Sequence, residues 1–302
     1  MRVVYSPRYH VDIGLHVYPT TKYQKVHAQL LEYRLITPDA LVEPEIVSWD
    51  DLALVHTQDY LRKLRCGELS LTELARLEIP WSEAITDGFR LMSGGTLTAA
   101  REAVAHGLAA HIGGGFHHAY AGHGEGFCMF NDVALAIRVL QRGNIVSRAA
   151  VVDCDVHHGN GTAAIFESDP TVFTFSMHQS SNYPMDKPPS TLDIGIGDQT
   201  GDEEYLRRLA ESLPSVMADR PDILFYLAGA DPYERDQLGG LALTKDGLAT
   251  RDRLVLDTAR QAAVPIVVTL AGGYAYDLSD TVDIHVTTIE ETMRDSARRI
   301  GT

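Results

Sequence analysis

Long apolar runs are missing from this chain: nowhere do about 18 apolar residues follow one another, so no membrane-spanning helix is expected. Its first ten residues, "MRVVYSPRYH", contain neither an export-type apolar stretch nor a twin arginine. Cysteine is scarce. Cys66, Cys128 and Cys154 are odd in number and far apart, which argues against a disulfide framework and suits a reducing, cytoplasmic compartment. Positive charge is also short: 26 Lys and Arg face 41 Asp and Glu, giving a formal charge of -15. A nucleic-acid-binding surface is therefore not expected, whereas a cationic amine or tail would be attracted. Internal repeats, low-complexity tracts and linkers are absent, and "GGG" at 113–115 lacks the spacing of a phosphate-binding loop.

What the 302 residues do contain is an alternation of short apolar runs with helical patterns, the signature of an α/β domain around a parallel sheet. One domain spanning 1–302 is expected. Strands are predicted at 2–5, 109–112, 149–155, 172–178, 222–231 and 265–273, each almost uniformly apolar, as strands covered on both faces are. Helices are predicted at 96–107, 131–143, 201–220, 244–263 and 281–300, several opening on Thr, Asn or Asp and two closing on Gly. Glycine and proline gather instead after the strands, in "HIGGGFHHAYAGHGEGFC", "MHQSSNYPMDKPPSTLD", "GADPYERDQLGG" and "LAGGYAYD". Ligands of open α/β sheets bind at the carboxyl ends of the strands, so these loops should share one rim.

The polar residues concentrate there. "AAVVDCDVHHGNGT" runs from a buried strand straight into Asp153, Asp155, His157 and His158. Asp155, His157 and Asp231 make a plausible three-ligand metal site, which leaves a coordination position for water, as catalytic zinc sites do. His117 and His118 offer a base, and the Tyr274 hydroxyl a donor to a developing oxyanion. Any one of these residues alone reads more simply as a cap or a hydrogen-bonded core group; four strands delivering them together reverse the balance. His158 should point away from an ion, and Cys154 and Cys128 read as buried thiols.

In order, "GGGFHHA", "GFCMFND", "VVDCDVHHGNGT", "AGADPYERDQLGGL" and "LAGGY" resemble the zinc-dependent histone deacetylase family. "LHVYPTTKYQKV", "DLALVHTQDYL" and "LEIPW" are most similar to its class IV branch and to bacterial acetoin-utilisation and acetylpolyamine deacetylase relatives. The resemblance implies an arginase-like fold with a parallel sheet of about eight strands and one zinc ion per chain. It implies removal of an acyl group from lysine side chains by metal-activated water. It assigns zinc to Asp155, His157 and Asp231, the base to His118 and an electrostatic role to His117, oriented by Asp153. Tyr274 would polarise the acyl carbonyl, and Gly126 and Phe127 would line the acyl tunnel. It also implies a potassium ion near Asp153, Asp155, His157, Ser176 and Met177. Where class I relatives carry an Asp, this chain has Asn160, so His118 would lack a charged partner and remain neutral more easily. Met129 stands where tyrosine is frequent. The acidic residue that holds substrate at the rim is not identified by motif, and Asp87 is the candidate for it. Acetylated polyamines, long-chain acyl-lysines, a non-catalytic acyl-lysine binder and a two-metal ureohydrolase are the competing readings. Acyl length and self-association stay open.

Overall fold

In a computed structural model, residues 1–300 are described, and their order follows from which strands are covered. Eight strands, β1 Arg2–Val4, β2 Leu41–Val42, β3 Leu108–His111, β4 Ala149–Asp153, β5 Val172–Gln179, β6 Leu192–Ile196, β7 Ile223–Leu227 and β8 Ile266–Thr269, form one sheet. Its order is β2-β1-β3-β8-β7-β4-β5-β6 and every pairing is parallel. Every residue of β3, β4, β7 and β8 is buried. The edge strand β6 alternates instead, with Asp193 and Gly195 turned outward. That is why a search for continuous apolar runs passes over it, as it does over the two-residue β2.

Among the described residues the ten α-helices are α1 Lys22–Glu32, α2 Trp49–Leu52, α3 Gln58–Cys66, α4 Leu71–Leu77, α5 Glu83–His106, α6 Asp132–Arg142, α7 Asn160–Phe166, α8 Asp202–Ala218, α9 Lys245–Gln261 and α10 Leu278–Ile300. Helix α5 packs against α6 and β3, while α1, α10, α9 and α8 form a second packed row. Side-chain caps fix several starts: Asn131 accepts from Ala134 N and opens α6, and Ser70 with Glu73 closes a capping box on α4.

The decisive feature for function is register. His111 pairs with Thr269, Thr269 with Leu227, and Leu227 with Asp153, so β3, β8, β7 and β4 end in one row at the middle of the sheet. The loops after these four neighbours start level with one another. Beneath them, fully buried Arg251 of α9 donates through Nη1 to Gly229 O at 2.5 Å and to Cys154 O at 3.4 Å, and through Nη2 to Asp252 at 2.9 Å. The guanidinium thus ties the loop after β4 to the loop after β7.

Candidate active site

Strand β4 stops at Asp153 and the chain turns, two residues short of the strand expected at 149–155. Hydrogen bonds keep Asp155 and His157 side by side anyway. Asp155 N donates to Asp153 Oδ1 at 3.1 Å and His157 N to Asp155 Oδ1 at 3.0 Å, successive side-chain-to-backbone turns. Asp231 arrives from the loop after β7, where its Oδ1 accepts from Val156 N at 2.9 Å. The donor atoms of Asp155, His157 and Asp231 lie within 4.8 Å of one another and all three residues are buried. His157 Nδ1 is 3.0 Å from Asp155 Oδ1 and 3.4 Å from Asp231 Oδ2.

This set fits a divalent cation. Asp231 Oδ2 is buried without a hydrogen-bond donor, a costly state for a carboxylate oxygen unless a cation occupies its free side. Gly272 keeps the space clear: a Cβ there would sit 2.0 Å from Asp231 Oδ2 and 2.5 Å from Asp155 Oδ2. Two carboxylates and one imidazole are a donor set suited to zinc. With protons alone, the site answers its own negative charge. Burial opposes a charge on His157, yet its hydrogen bond to Asp155 and the nearby charge of Asp231 push its pKa up to about 10. Burial and the neighbouring Asp155 raise Asp231.

The tandem histidines follow β3 through "GGGF" and sit beside this set. His117 Nδ1 donates to Asp153 Oδ2 at 2.6 Å, and His118 Nδ1 lies 2.6 Å from Asn160 Oδ1. Their Nε2 atoms are 3.1 Å apart. His117 is held up at about 9: burial works against its charge, but Asp153 and Asp155 outweigh it. His118 is driven well below the usual imidazole range by burial and by the cationic character of His117 and His157. It is the neutral imidazole expected of a base at pH 7.

Tyr274 leaves the loop after β8. Asp236 positions it, accepting from Tyr274 N at 2.6 Å while its other oxygen accepts from Leu238 N and Gly239 N. Gln237 Nε2 donates to Tyr274 O at 2.8 Å. Gly126 and Phe127 occupy the two central positions of a tight turn closed by Glu125 and Cys128, which exchange backbone hydrogen bonds at 3.1 and 2.9 Å. Both have positive φ, 51° and 65°, and an added Cβ on Gly126 would meet His118 Cδ2 at 2.7 Å. Carbonyls at the end of α4, Arg76 O and Leu77 O, accept the Gly126 and Phe127 N–H groups.

A cavity of about 180 Å³ leads to these groups, lined by Glu78, His118, Phe127, His157, Tyr183 and Tyr274 among others. The expected tunnel-wall residues Gly126 and Phe127 are both part of it. Below it, a void of about 20 Å³ reaches toward Tyr18 and Tyr23, room for about one water. Of the sequence at 180–190, Tyr183 reaches the site, its ring edge-on to His118 at 5.0 Å between centroids. Asp87 pairs with Arg90 at 2.8 Å on α5 and does not line the cavity, whereas Glu78, just past α4, does. Ser176 pairs with Asp153 across the sheet, and its Oγ bonds His178 Nδ1 at 3.0 Å; Met177 is fully buried. His158 turns away from the metal-type set, as expected, toward Asp193 at 3.1 Å.

Sequence reasoning missed Glu125, Tyr183 and Asp236. Glu125 Oε1 accepts from Asn160 Nδ2 at 2.7 Å and from Tyr183 OH at 3.0 Å, so the charge absent at Asn160 lies one residue beyond it. Asp236 offered a sequence signal, standing five residues after Asp231 in the same strand-end loop.

Residues 16–289 match the model of the histone deacetylase domain. An uncharacterized protein of Picosynechococcus sp. is 41% identical over 94% of this chain and 95% of its own. Histone deacetylase 2 of Arabidopsis thaliana is 32% identical, over 90% of this chain and 74% of its own, and the acetoin utilization protein AcuC of Bacillus subtilis 30%, over 91% and 77%. The crystal structure of the HDA15 HD domain superposes with a TM-score of 0.79 over 99% of this chain and 94% of that one, at 20% identity, a likeness of fold.

Proposed function

The chain belongs to the histone deacetylase family, and from that premise we propose that it is a zinc-dependent amidohydrolase that removes a short acyl group from an acylated lysine or related amine. The observation that carries this reading is the bare Asp231 Oδ2 beside His157, with neutral His118 and the Tyr274 hydroxyl facing the same cavity. Asp155, His157 and Asp231 would hold the zinc, which when bound would acidify a water and polarise an adjacent carbonyl. His118 Nε2 takes the proton of the attacking water and returns it to the departing amine nitrogen, while cationic His117 stabilises the negative charge gathering nearby. Tyr274 donates its O–H to the carbonyl oxygen. Burial beside Asp155 and Asp231 raises the phenol well above its ordinary pKa, so it keeps the proton it donates.

The cavity favours a small acyl group, since about 180 Å³ is below the roughly 300–1,000 Å³ of sites for drug-sized ligands. Phe127 and Tyr183 form its aromatic walls. An acetylated polyamine is the second reading, favoured by the Glu78 carboxylate at the mouth and by the net charge of -15, both of which attract a cation. Likeness to the class IV branch rests on the early segments, and a potassium ion near Asp153 and Ser176 on the resemblance alone. The three free cysteines suit a cytoplasmic protein, and no helix among the described residues is long and apolar enough to cross a membrane.

Zinc-loaded protein should release amine from a lysine-peptide series carrying acetyl through myristoyl groups, with its optimum at the short end. Tyr274→Phe should lower kcat by about a hundredfold. A change below about threefold removes the oxyanion role, and no turnover on peptides or acetylated polyamines with stoichiometric zinc bound removes the hydrolase reading.

A further inference from the structure

His118 can serve as a base only if its Nε2 carries a lone pair, which requires the proton of the neutral ring to sit on Nδ1. Its Nδ1 faces an amide, and an amide is ambiguous. Asn160 could turn its oxygen toward His118 and accept from Nδ1–H, or turn its NH2 and donate to a bare Nδ1. The second arrangement moves the imidazole proton to Nε2 and disables the base. Shape does not decide between them, because the two ends of an amide are nearly the same size.

Glu125 decides. An ionised carboxylate only accepts hydrogen bonds, and Glu125 Oε1 stands 2.7 Å from the far end of Asn160. That end must be the NH2, so the oxygen faces His118 at 2.6 Å and His118 must donate from Nδ1. Tyr183 OH donates to the same Oε1 at 3.0 Å, and His123 Nε2 lies 3.2 Å from Oε2, so the carboxylate is fixed from two sides. Its backbone is fixed as well, paired in both directions with Cys128. Burial opposes the ionised form, but bonds from His123, Asn160 and Tyr183 prevail and hold Glu125 below its ordinary pKa.

The opposite end of the array agrees. Asp153 also only accepts, so His117 donates to it from Nδ1.

We propose that Glu125 is the positioning residue that sets the tautomer of His118: through the amide of Asn160 it holds the imidazole proton on Nδ1 and leaves Nε2 free to accept a proton. This deepens the hydrolase reading and rests on it for its catalytic meaning, but the tautomer itself is a property of the resting protein.

The test joins spectroscopy and kinetics on the full-length, zinc-loaded protein. In 15N-histidine-labelled protein, with the His118 resonances assigned by their loss in His118→Gln, Nδ1 should show the protonated-type shift and Nε2 the unprotonated type. Glu125→Ala should spread His118 over both tautomers and lower kcat about tenfold or more, with KM changed less than about threefold. Glu125→Gln, of nearly equal size, should fall between if the alanine variant folds poorly. Adding Asn160→Asp to Glu125→Ala should restore both the 15N pattern and most of kcat, because an Asp at 160 only accepts and needs no neighbour to orient it. The same Asn160→Asp change alone should be harmful, since it sets two carboxylates against each other. An unchanged His118 pattern in Glu125→Ala, or a double variant no better than the single, overturns the proposal. An altered tautomer in a protein that cleaves no amide would sustain the proposal and defeat the hydrolase reading, so the two failures remain distinct.

Discussion

His117 and His118 are consecutive residues of the same type, yet one is held as a cation at about 9 and the other pressed well below the imidazole range toward neutrality. The difference lies in their partners. Burial opposes charge on both; His117 meets the carboxylate of Asp153 at 2.6 Å, whereas His118 meets a neutral amide and has positive character on either side. Residue type therefore does not assign chemical role here. Environment splits two equivalent rings into a fixed cation and a neutral base, the general way in which a site obtains acid and base functions from like groups.

The comparison can be broken most severely at the neutral ring. His118→Ala should lower kcat by about a thousandfold while leaving zinc stoichiometry by elemental analysis unchanged; a loss below about tenfold would mean that another group moves the proton. Next is the cationic ring. Asp153→Asn should lower kcat by about ten- to a hundredfold and also change the pH dependence of stability in metal-stripped protein. His117 is raised from 6.5 to about 9, so its contribution is complete below about pH 6.5 and disappears as the pH climbs through about 9. Urea unfolding should show the gap between wild type and variant at about pH 6.5 closing by about pH 10, and a gap of constant size would mean that His117 is not the cation.

A third measurement extends the contrast to His157, whose pKa is also raised, to about 10, so that zinc binding there would have to displace a proton. Calorimetric zinc titrations at pH 7 in buffers of different ionisation heat should report release of about one proton or more per ion, with affinity falling as the pH is lowered. Zinc uptake without proton release would place the ion elsewhere. The smallest effect belongs to His158, adjacent to His157 and turned to Asp193. Asp193→Asn should cost about 1 kcal/mol of stability by chemical denaturation and change kcat by less than about threefold. A larger loss of turnover would bring that side of the sheet into the chemistry.

Much of the site was legible from sequence because its donors stand within a few residues of strand ends, and buried strands declare themselves as apolar runs. Asp155, His157, Asp231, His117, His118 and Tyr274 all follow such runs. Glu125, Tyr183 and Asp236 were not legible as functional because their importance lies in partners distant along the chain. Glu125 meets Asn160 from 35 residues away and Asp236 meets Tyr274 from 38, and beyond the place of Asp236 in the loop after Asp231 no local pattern announces either bond. In the fold, the buried middle of the sheet was readable and its edges were not: β6 alternates in the manner of an edge, and β2 is too short to carry a pattern. Short helices such as α3 and α4 escaped because their starts are marked by single Thr and Ser caps rather than by long periodic faces.

The level row formed by His111, Thr269, Leu227 and Asp153 has a mechanical meaning. Like the flat bed of an optical bench, the hydrogen-bonded ladder sets a common zero from which each loop is measured. Arg251 and the Val156–Asp231 bond then couple the loops after β4 and β7, so that a thermal displacement of one carries the donor of the other with it. Lengthening either of these two loops would therefore shift both carboxylates of the metal-type set together. For anyone seeking to re-aim this site at a different amide, the loops are the adjustable mounts, and the four strand ends are the surface that must stay true.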